Sequence, residues 1–449
     1  MKNKKFRLST TQIIIFSFVP VILLGSLLLW LPISSASGQS VPYIDALFTA
    51  VTATCVTGLV TVTTATAWSF FGQAVILLLI QIGGLGVVTI LSSFMMAVKR
   101  RMNMGDTLLI ADAFNLNTMS GLSEFVKKVL FGTLIIEGAG ALLYMTVFVP
   151  RFGAWGIWVS IFNSVSAFCN AGLDVIGNDS LCSYATHPMI NIVTSLLIIL
   201  GGIGYIVWWD VLGVLKTRKK PRFRDLTLHS KIAISTTLIL IFVGAALIFV
   251  FEYGNPQTIG NMTLWDKIGV SLFQSVTTRT AGFASIPQEA LTNGASVVTL
   301  ILMFIGGSPV GTAGGIKTVT VAVLICSAIS AIKGKEQTTM FNRTVAKEAL
   351  RKTLGVLLMS SFVLLVSTLL LSATTDAPFI DLIFETVSAT ATVGLSRALT
   401  PKLDLFGKLT IIFTMYFGRI GPISLALAFN TRRQKQNAVK DPVEDISVG

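Results

Sequence analysis

The chain has 449 residues, 53% of them hydrophobic and only 12% charged, about half the charged share of an ordinary soluble domain. That excludes a soluble enzyme and makes the bilayer the relevant solvent. A net charge of +13, from 34 Lys and Arg against 21 Asp and Glu, would suit nucleic acid or anionic lipid, and the placement of the charges favours lipid.

Apolar runs of about 20 residues, enough for a span, fall in chain order at 13–31, 72–98, 129–149, 189–212, 231–251, 354–373 and 407–429, with a long interrupted run at 295–332. Basic residues gather at Lys2, Lys4, Lys5 and Arg7, at 99–101, at Lys127 and Lys128, at 216–231, at 333–352, and at Arg432, Arg433, Lys435 and Lys440. The opposite side receives only Arg151, Lys267, Arg397, Lys402 and Lys408, while Arg279, Lys317 and Arg419 fall inside membrane segments. The positive-inside rule then puts both tails, 1–10 and 430–449, in the cytoplasm of a multi-pass plasma (inner) membrane protein. The start, KNKKFR before an apolar run and SSASG, imitates a signal peptide, but the run outlasts the usual core of about 7–15 residues and is read as a retained span. Cys55, Cys169, Cys182 and Cys326 form no C-x-x-C pair, and the only histidines are His187 and His229, so neither zinc nor a disulfide framework is expected.

A fourfold repeat emerges when the glycine-containing polar loops are aligned. The segments are LFTAVTATCVTGL (47–59), IFNSVSAFCNAGL (161–173), LFQSVTTRTAGF (272–283, one residue shorter) and IFETVSATATVGL (383–395). Their glycines, Gly58, Gly172, Gly282 and Gly394, recur at intervals of 114, 110 and 112 residues. The chain divides into units at 11–101, 102–224, 225–340 and 341–429, each an apolar span, a short amphipathic segment, a polar loop and a second span. Pro42 and Pro378, followed by Asp45 and Asp381 in P-x-I-D-x-x-F, read as helix starts with Pro just inside the helix. Segments of about 10 to 12 residues are too short to cross and read as re-entrant. After each loop comes a second glycine element: QIGGLG (81–86), LGGIG (200–204), FIGG (304–307) and FGRIG (417–421).

The fold expected is all-α and membrane-embedded, with four span, pore helix, span repeats around one central pore per protomer: eight spans and four re-entrant loops. Non-helical backbone at membrane depth lines a water-filled path or is buried in protein. Four equivalent loops can surround one axis, with each short helix aiming its negative dipole end at a cation. The loops carry no acid, so selection would come from backbone carbonyls, and glycine lets them face the lumen. Filter candidates are Cys55, Val56, Thr57 and Gly58, Cys169, Asn170, Ala171 and Gly172, Arg279, Thr280, Ala281 and Gly282, and Ala391, Thr392, Val393 and Gly394.

With these motifs the sequence resembles the Trk/Ktr/HKT superfamily of potassium transporters, and within it the Ktr membrane subunit of KtrB or KtrD type. The resemblance implies a potassium-selective pore, a homodimer with one pathway per protomer, a cytoplasmic ring of RCK subunits that bind ATP or ADP, and in many members sodium-dependent uptake. Four filter glycines argue for potassium, because a serine in the first loop accompanies sodium transport in the HKT branch. Cys55, where relatives often have Thr, and Arg279 depart from the pattern and bear on affinity more than on ion identity.

The run at 295–332 would be roughly 57 Å long as one straight helix, against a bilayer core of about 30 Å. Its middle, GGSPVGTAGGIKT (306–318), should break it into a loop. Gly306, Gly307, Ser308, Gly311, Thr312, Gly314, Gly315 and Lys317 are candidate gate residues, and in Ktr and Trk proteins the matching segment is an intramembrane gating loop. The same stretch imitates a phosphate-binding motif, but Ile316 stands where glycine is required and no strand precedes it, so no nucleotide is expected on this chain. Arg419 interrupts the fourth glycine element, and in the family the matching arginine faces the pore beneath the filter. Arg279 reads as a brace behind the third loop through carbonyl hydrogen bonds, with Glu137 and Asp210 as candidate partners. The expected function is potassium uptake, with K+ as the transported ion and Na+ as a second ion on which uptake depends in many members of the family. The rivals are a sodium- or ammonium-preferring pore and a secondary transporter of a small solute, the latter disfavoured because the units share one topology.

Overall fold

The protein was studied as a computed structural model, which describes residues 10–87, 89–90, 122–218 and 220–421. The expectations for 1–9, for the basic cluster at 99–101 and for the tail beyond 421 fall outside these residues. Helices make up most of what is seen. Four of them, α1 (Thr10–Trp30), α5 (Leu122–Phe152), α9 (Leu228–Glu252) and α13 (Lys347–Thr374), are long and apolar enough to cross a bilayer. Their outer faces expose Leu24, Phe131, Ile135, Phe242 and Leu358. The interior, by contrast, holds Thr52, Ser164, Gln274 and Glu385. An apolar exterior around an interior that mixes apolar clusters with polar side chains departs from the soluble arrangement and suits lipid.

Each long helix leans on a short one: α2 (Tyr43–Thr54), α6 (Trp155–Cys169), α10 (Leu264–Thr277) and α14 (Phe379–Ala391). Most are slightly longer than the 10 to 12 residues expected, and Pro42 and Pro378 sit at the N-cap rather than inside the helix. The contact is built alike in the second and third units. Ser164 donates to the Glu137 carbonyl at 2.6 Å and Ser275 to the Ile241 carbonyl at 2.8 Å. Gly140 and Gly244 make room, since a Cβ on either would lie 2.5 Å from the serine oxygen.

A four-residue helix α3 (Thr64–Ala67) precedes α4 (Phe70–Leu85). The other second spans are α7 (Pro188–Gly202) continuing into α8 (Tyr205–Thr217), α11 (Asn293–Phe304) continuing into α12 (Thr318–Ile332), and α15 (Leu405–Ile420). The run at 295–332 breaks where its glycines and Pro309 predict. The run at 189–212 does not form one straight span: α7 and α8 meet at 96°. The cause is local, because Gly204 takes φ +95°. Gly86 and Gly421, at φ +87° and +88°, end α4 and α15 at the same point of the glycine element. One departure from an all-helical fold is a small hairpin, β1 (Thr339–Met340) with β2 (Arg343–Thr344).

Candidate filter and gate

The four short helices stop at loops of one conformation. Val56, Asn170, Thr280 and Thr392, each two residues before its glycine, adopt left-handed φ of 54°, 60°, 63° and 51°. The turn is closed by a backbone hydrogen bond from the residue before the glycine: Thr57 to Thr52, Ala171 to Ser166 and Val393 to Ser388, each at 2.8 Å. In the third loop, one residue shorter, Ala281 bonds to Thr277 at 2.9 Å. Thr52 and Ser388 hydroxyls also accept from the Gly58 and Gly394 amides at 3.0 Å.

The four glycines close a ring. A Cβ on Gly58 would lie 2.6 Å from the Ala171 carbonyl oxygen, one on Gly172 2.7 Å from that of Ala281, and one on Gly282 2.5 Å from that of Val393. Gly394 completes the circuit by abutting the Thr57 carbonyl. Each glycine therefore faces the carbonyl of the next loop, and a side chain at any of the four would enter the contact. The remaining candidates, Cys55, Cys169 and Ala391, lie buried at the helix ends behind the ring.

Arg279 sits behind the third loop, but its partner is neither acid. Its Nη2 donates to the Thr237 hydroxyl of α9 at 3.2 Å. Glu137 instead accepts from Gln81 at 3.2 Å and lies 3.8 Å from the Cys169 sulfur, and Asp210 accepts from the Thr227 amide and hydroxyl at 2.9 and 2.8 Å. The guanidinium thus bonds a hydroxyl of α9 in place of the expected carbonyls of its loop.

The loop between α11 and α12 docks onto the bend between α7 and α8. A helix bent at Gly202–Tyr205 frees carbonyls. Those of Gly202 and Gly201 accept from the Ser308 and Thr312 amides at 2.8 and 3.1 Å, and Val310 in return accepts from the Tyr205 amide at 2.9 Å. The loop is pinched shut by Gly306 donating to Ile316 at 2.9 Å and Thr318 to Gly307 at 2.9 Å. Gly306 packs on the Gly314 carbonyl, Gly315 has φ +65°, and a Cβ on Gly311 would stand 2.9 Å from the Gly201 carbonyl oxygen. Above, the loop touches the ring-forming turns: Thr312 donates to the Phe168 carbonyl at 3.0 Å, the Gly314 amide to the Thr280 hydroxyl at 3.2 Å, and Gly314 abuts Thr392.

Two half-buried cations meet here without an acid in salt-bridge range among the described residues. Lys317 donates to the Ala313 carbonyl at 2.6 Å. Arg419 donates to the Thr312 carbonyl at 2.6 Å and to the Gly83 carbonyl, joining the loop to the first repeat. Gly83, Gly201 and Gly418 serve the same end, each letting its helix pass against a carbonyl in the last turn of a short helix, those of Thr54, Phe168 and Thr390.

Sequence reading missed the side chains that hold the loops from outside. Arg397 bonds to Asp381 at 2.6 Å and to the Gln288 carbonyl at 2.9 Å, and Lys408 pairs with Asp45 at 2.7 Å. Repeat alignment gives one signal for this shell, since the residue after each repeat's Phe is polar: Thr49, Asn163, Gln274, Glu385.

An apolar exterior, buried polar side chains among the apolar core and four turns closing on one another define a mostly helical, multi-pass membrane protein. The chain belongs to the TrkH family of cation transport proteins, whose model matches residues 2–440. It is 39% identical to the Ktr system potassium uptake protein B of Bacillus subtilis, over 99% of this chain and 98% of that one. Identity is also 39% to the potassium/sodium uptake protein NtpJ of Enterococcus hirae, over 100% and 99% of the two chains. The crystal structure of the potassium transporter TrkH from Vibrio parahaemolyticus superposes with a TM-score of 0.76 at 16% identity, covering 96% of this chain and 86% of that chain. The family is one of cation transporters, not enzymes.

Proposed function

We propose that the protein takes up potassium across the plasma membrane through a filter formed by the carbonyls next to Gly58, Gly172, Gly282 and Gly394. The observation that carries this reading is the closed ring, in which each glycine faces the neighbouring loop's carbonyl. The C-terminal ends of α2, α6, α10 and α14 converge on the ring and add negative potential without an acidic side chain. A cation entering it exchanges water for carbonyl oxygens. The membrane potential drives entry, at about 2.3 kcal/mol per charge per 100 mV.

On this reading the four second spans, though short or broken, cross with the four long helices as eight spans in four repeats, with both termini cytoplasmic. The loop at 306–318 is the gate. Arg419 and Lys317 hold it closed through carbonyls and put positive charge in the path of a cation. The names of the Ktr relatives as parts of a system support a further component, which on this reading is a cytoplasmic regulator of RCK type meeting the basic surface around 216–224. A homodimer completes the assembly. The potassium/sodium relative makes sodium the competing ion to test.

Rubidium uptake into cells lacking their own potassium transporters tests the proposal. Expression of the chain should restore uptake, and a tenfold excess of sodium should leave most of it intact. Uptake abolished by sodium would assign the pore to sodium, and no uptake at all would refute the reading.

A further inference from the structure

The four filter turns are not held alike. Gln274 and Gln288 exchange amide hydrogen bonds of 2.7 and 3.2 Å behind the third. Behind the fourth, Glu385 accepts from Ser396 at 2.7 Å and from Thr400. Gln288 and Thr400 both lie six residues beyond their glycines, Gly282 and Gly394, so the two braces are one device used twice. At the matching positions of the first two units neither Thr49 with Thr64 nor Asn163 with Asn178 is paired, and both polar atoms of the buried Asn163 amide lack a partner.

Arg397 ties the two braced turns together. It stands three residues after Gly394, where the other units have Thr61, Val175 and Ser285. Its Nε bonds to Asp381 of α14 at 2.6 Å, its Nη1 to the Gln288 carbonyl at 2.9 Å and the Ser296 hydroxyl at 3.0 Å, and its Nη2 to the Glu289 carbonyl at 3.0 Å. One guanidinium thus joins the fourth pore helix, the outer limb of the third loop and the start of α11. Its side chain is 12% exposed, so these bonds are largely shielded from water.

We infer that Arg397 is a positioning residue that fixes the third and fourth turns as one rigid half of the ring, and that this half sets the preference for potassium over the smaller sodium ion. The inference rests on the potassium-uptake reading above. Carbonyls whose spacing is pinned cannot close around a smaller ion, whereas turns free to separate or approach can adapt to either. The fork geometry matters more than the charge: four acceptors around one planar group cannot be served by an ammonium in a single position.

Rubidium uptake in the same cells, normalised to the amount of protein in the membrane, tests this through competition by potassium and by sodium. Arg397→Gln and Arg397→Lys should both keep uptake while lowering the potassium-to-sodium preference by about tenfold. Gln274→Met, which removes the third brace from inside and leaves the surface untouched, should move the ratio the same way. Lys128→Met, which removes an exposed ion pair with Glu124 on α5 far from these turns, should leave the ratio as it is. A normal ratio in Arg397→Lys would overturn the inference by showing that charge suffices. So would a normal ratio in Gln274→Met, which decides the matter even where the Arg397 variants fail to reach the membrane. Failure of the unmodified protein to take up rubidium would count against the function, not against this inference.

Discussion

Gly58→Ser puts the first side chain into the ring. Gly58 has φ +99°, and its Cβ would stand 2.6 Å from the Ala171 carbonyl oxygen and 3.1 Å from the Gly172 Cα. Ordinary contact begins at 3.4 Å, so the first and second turns must part by about 0.8 Å in an interior packed at crystal-like density. Holding a side chain at that φ costs about 1–3 kcal/mol, and displacing packed neighbours about 1–3 more. The strain falls on the backbone whose carbonyls form the proposed filter. If only about 1.4 kcal/mol of it differs between the two ions, the potassium preference drops about tenfold.

Gly172 provides an internal comparison. Its Cβ clash is nearly equal, 2.7 Å from the Ala281 carbonyl oxygen, but its φ of +64° lies in the left-handed region that an L-residue can occupy at lower cost. Gly172→Ser should therefore be the milder of the two. The assay is rubidium uptake under graded sodium, with membrane levels measured in parallel. An unchanged ion preference in Gly58→Ser at normal protein level would remove Gly58 from the lumen. Equal losses in both variants would refute the contribution assigned to φ.

Deleting part of 306–317 should raise flux, and Arg419→Gln, which releases the Thr312 and Gly83 carbonyls, should raise it in the same direction; an unaltered rate in both would sink the gate assignment. Gly201→Ala drives a methyl into the Phe168 carbonyl and to within 2.8 Å of the Thr312 hydroxyl, so it should lower thermal stability in detergent by about 1–3 kcal/mol. Gly213→Ala, with nothing within 4 Å, should be neutral or stabilising by up to about 1 kcal/mol. Asp174, two residues beyond Gly172, has its carboxyl pushed up to about 6 by burial, against the opposing pull of hydrogen bonds from Ser180 and backbone amides. A carboxyl at about 6 is ionised at pH 7 and gains a proton as pH falls through that value, so uptake at limiting potassium should fall over that window. Asp174→Asn should flatten the profile, and a profile unchanged by the substitution would exclude Asp174 as its source.

The ring and the break at 306–318 are legible because both are written in contiguous residues: a glycine at a fixed distance from a Phe-x-x-Val register, and a glycine-rich stretch too long to cross. What escapes depends on residues distant in sequence. The partner of Arg279 is Thr237, on a different helix, and nothing near Arg279 marks it. The 96° bend after Gly202 lies in an apolar run that reads as one span. Its stability comes from the loop at 306–318, whose amides from Ser308 and Thr312 occupy the carbonyls that the bend frees. Charge alone sorts Arg397 as an outer residue, and only its acceptors on Gln288, Glu289 and Ser296 disclose what it holds.

The proposed gate cannot open without acting on the filter. Thr312 bonds to the Phe168 carbonyl below the second turn, and the Gly314 amide bonds to Thr280 within the third. Displacing the loop breaks both, together with its bonds to Gly201 and Gly202. A freed amide or carbonyl at membrane depth is costly unless water reaches it, and an opening gate admits that water. The two turns respond differently. The third remains tied to the fourth through Arg397 and keeps its brace from Gln274, whereas the second loses an inner contact and has no matching brace between Asn163 and Asn178. Opening should therefore loosen the ring at Gly172 first. A regulatory partner that stabilises the displaced loop would then change ion preference as well as rate, with a smaller shift in preference expected in Thr312→Val, which lacks the bond to the Phe168 carbonyl before the loop moves.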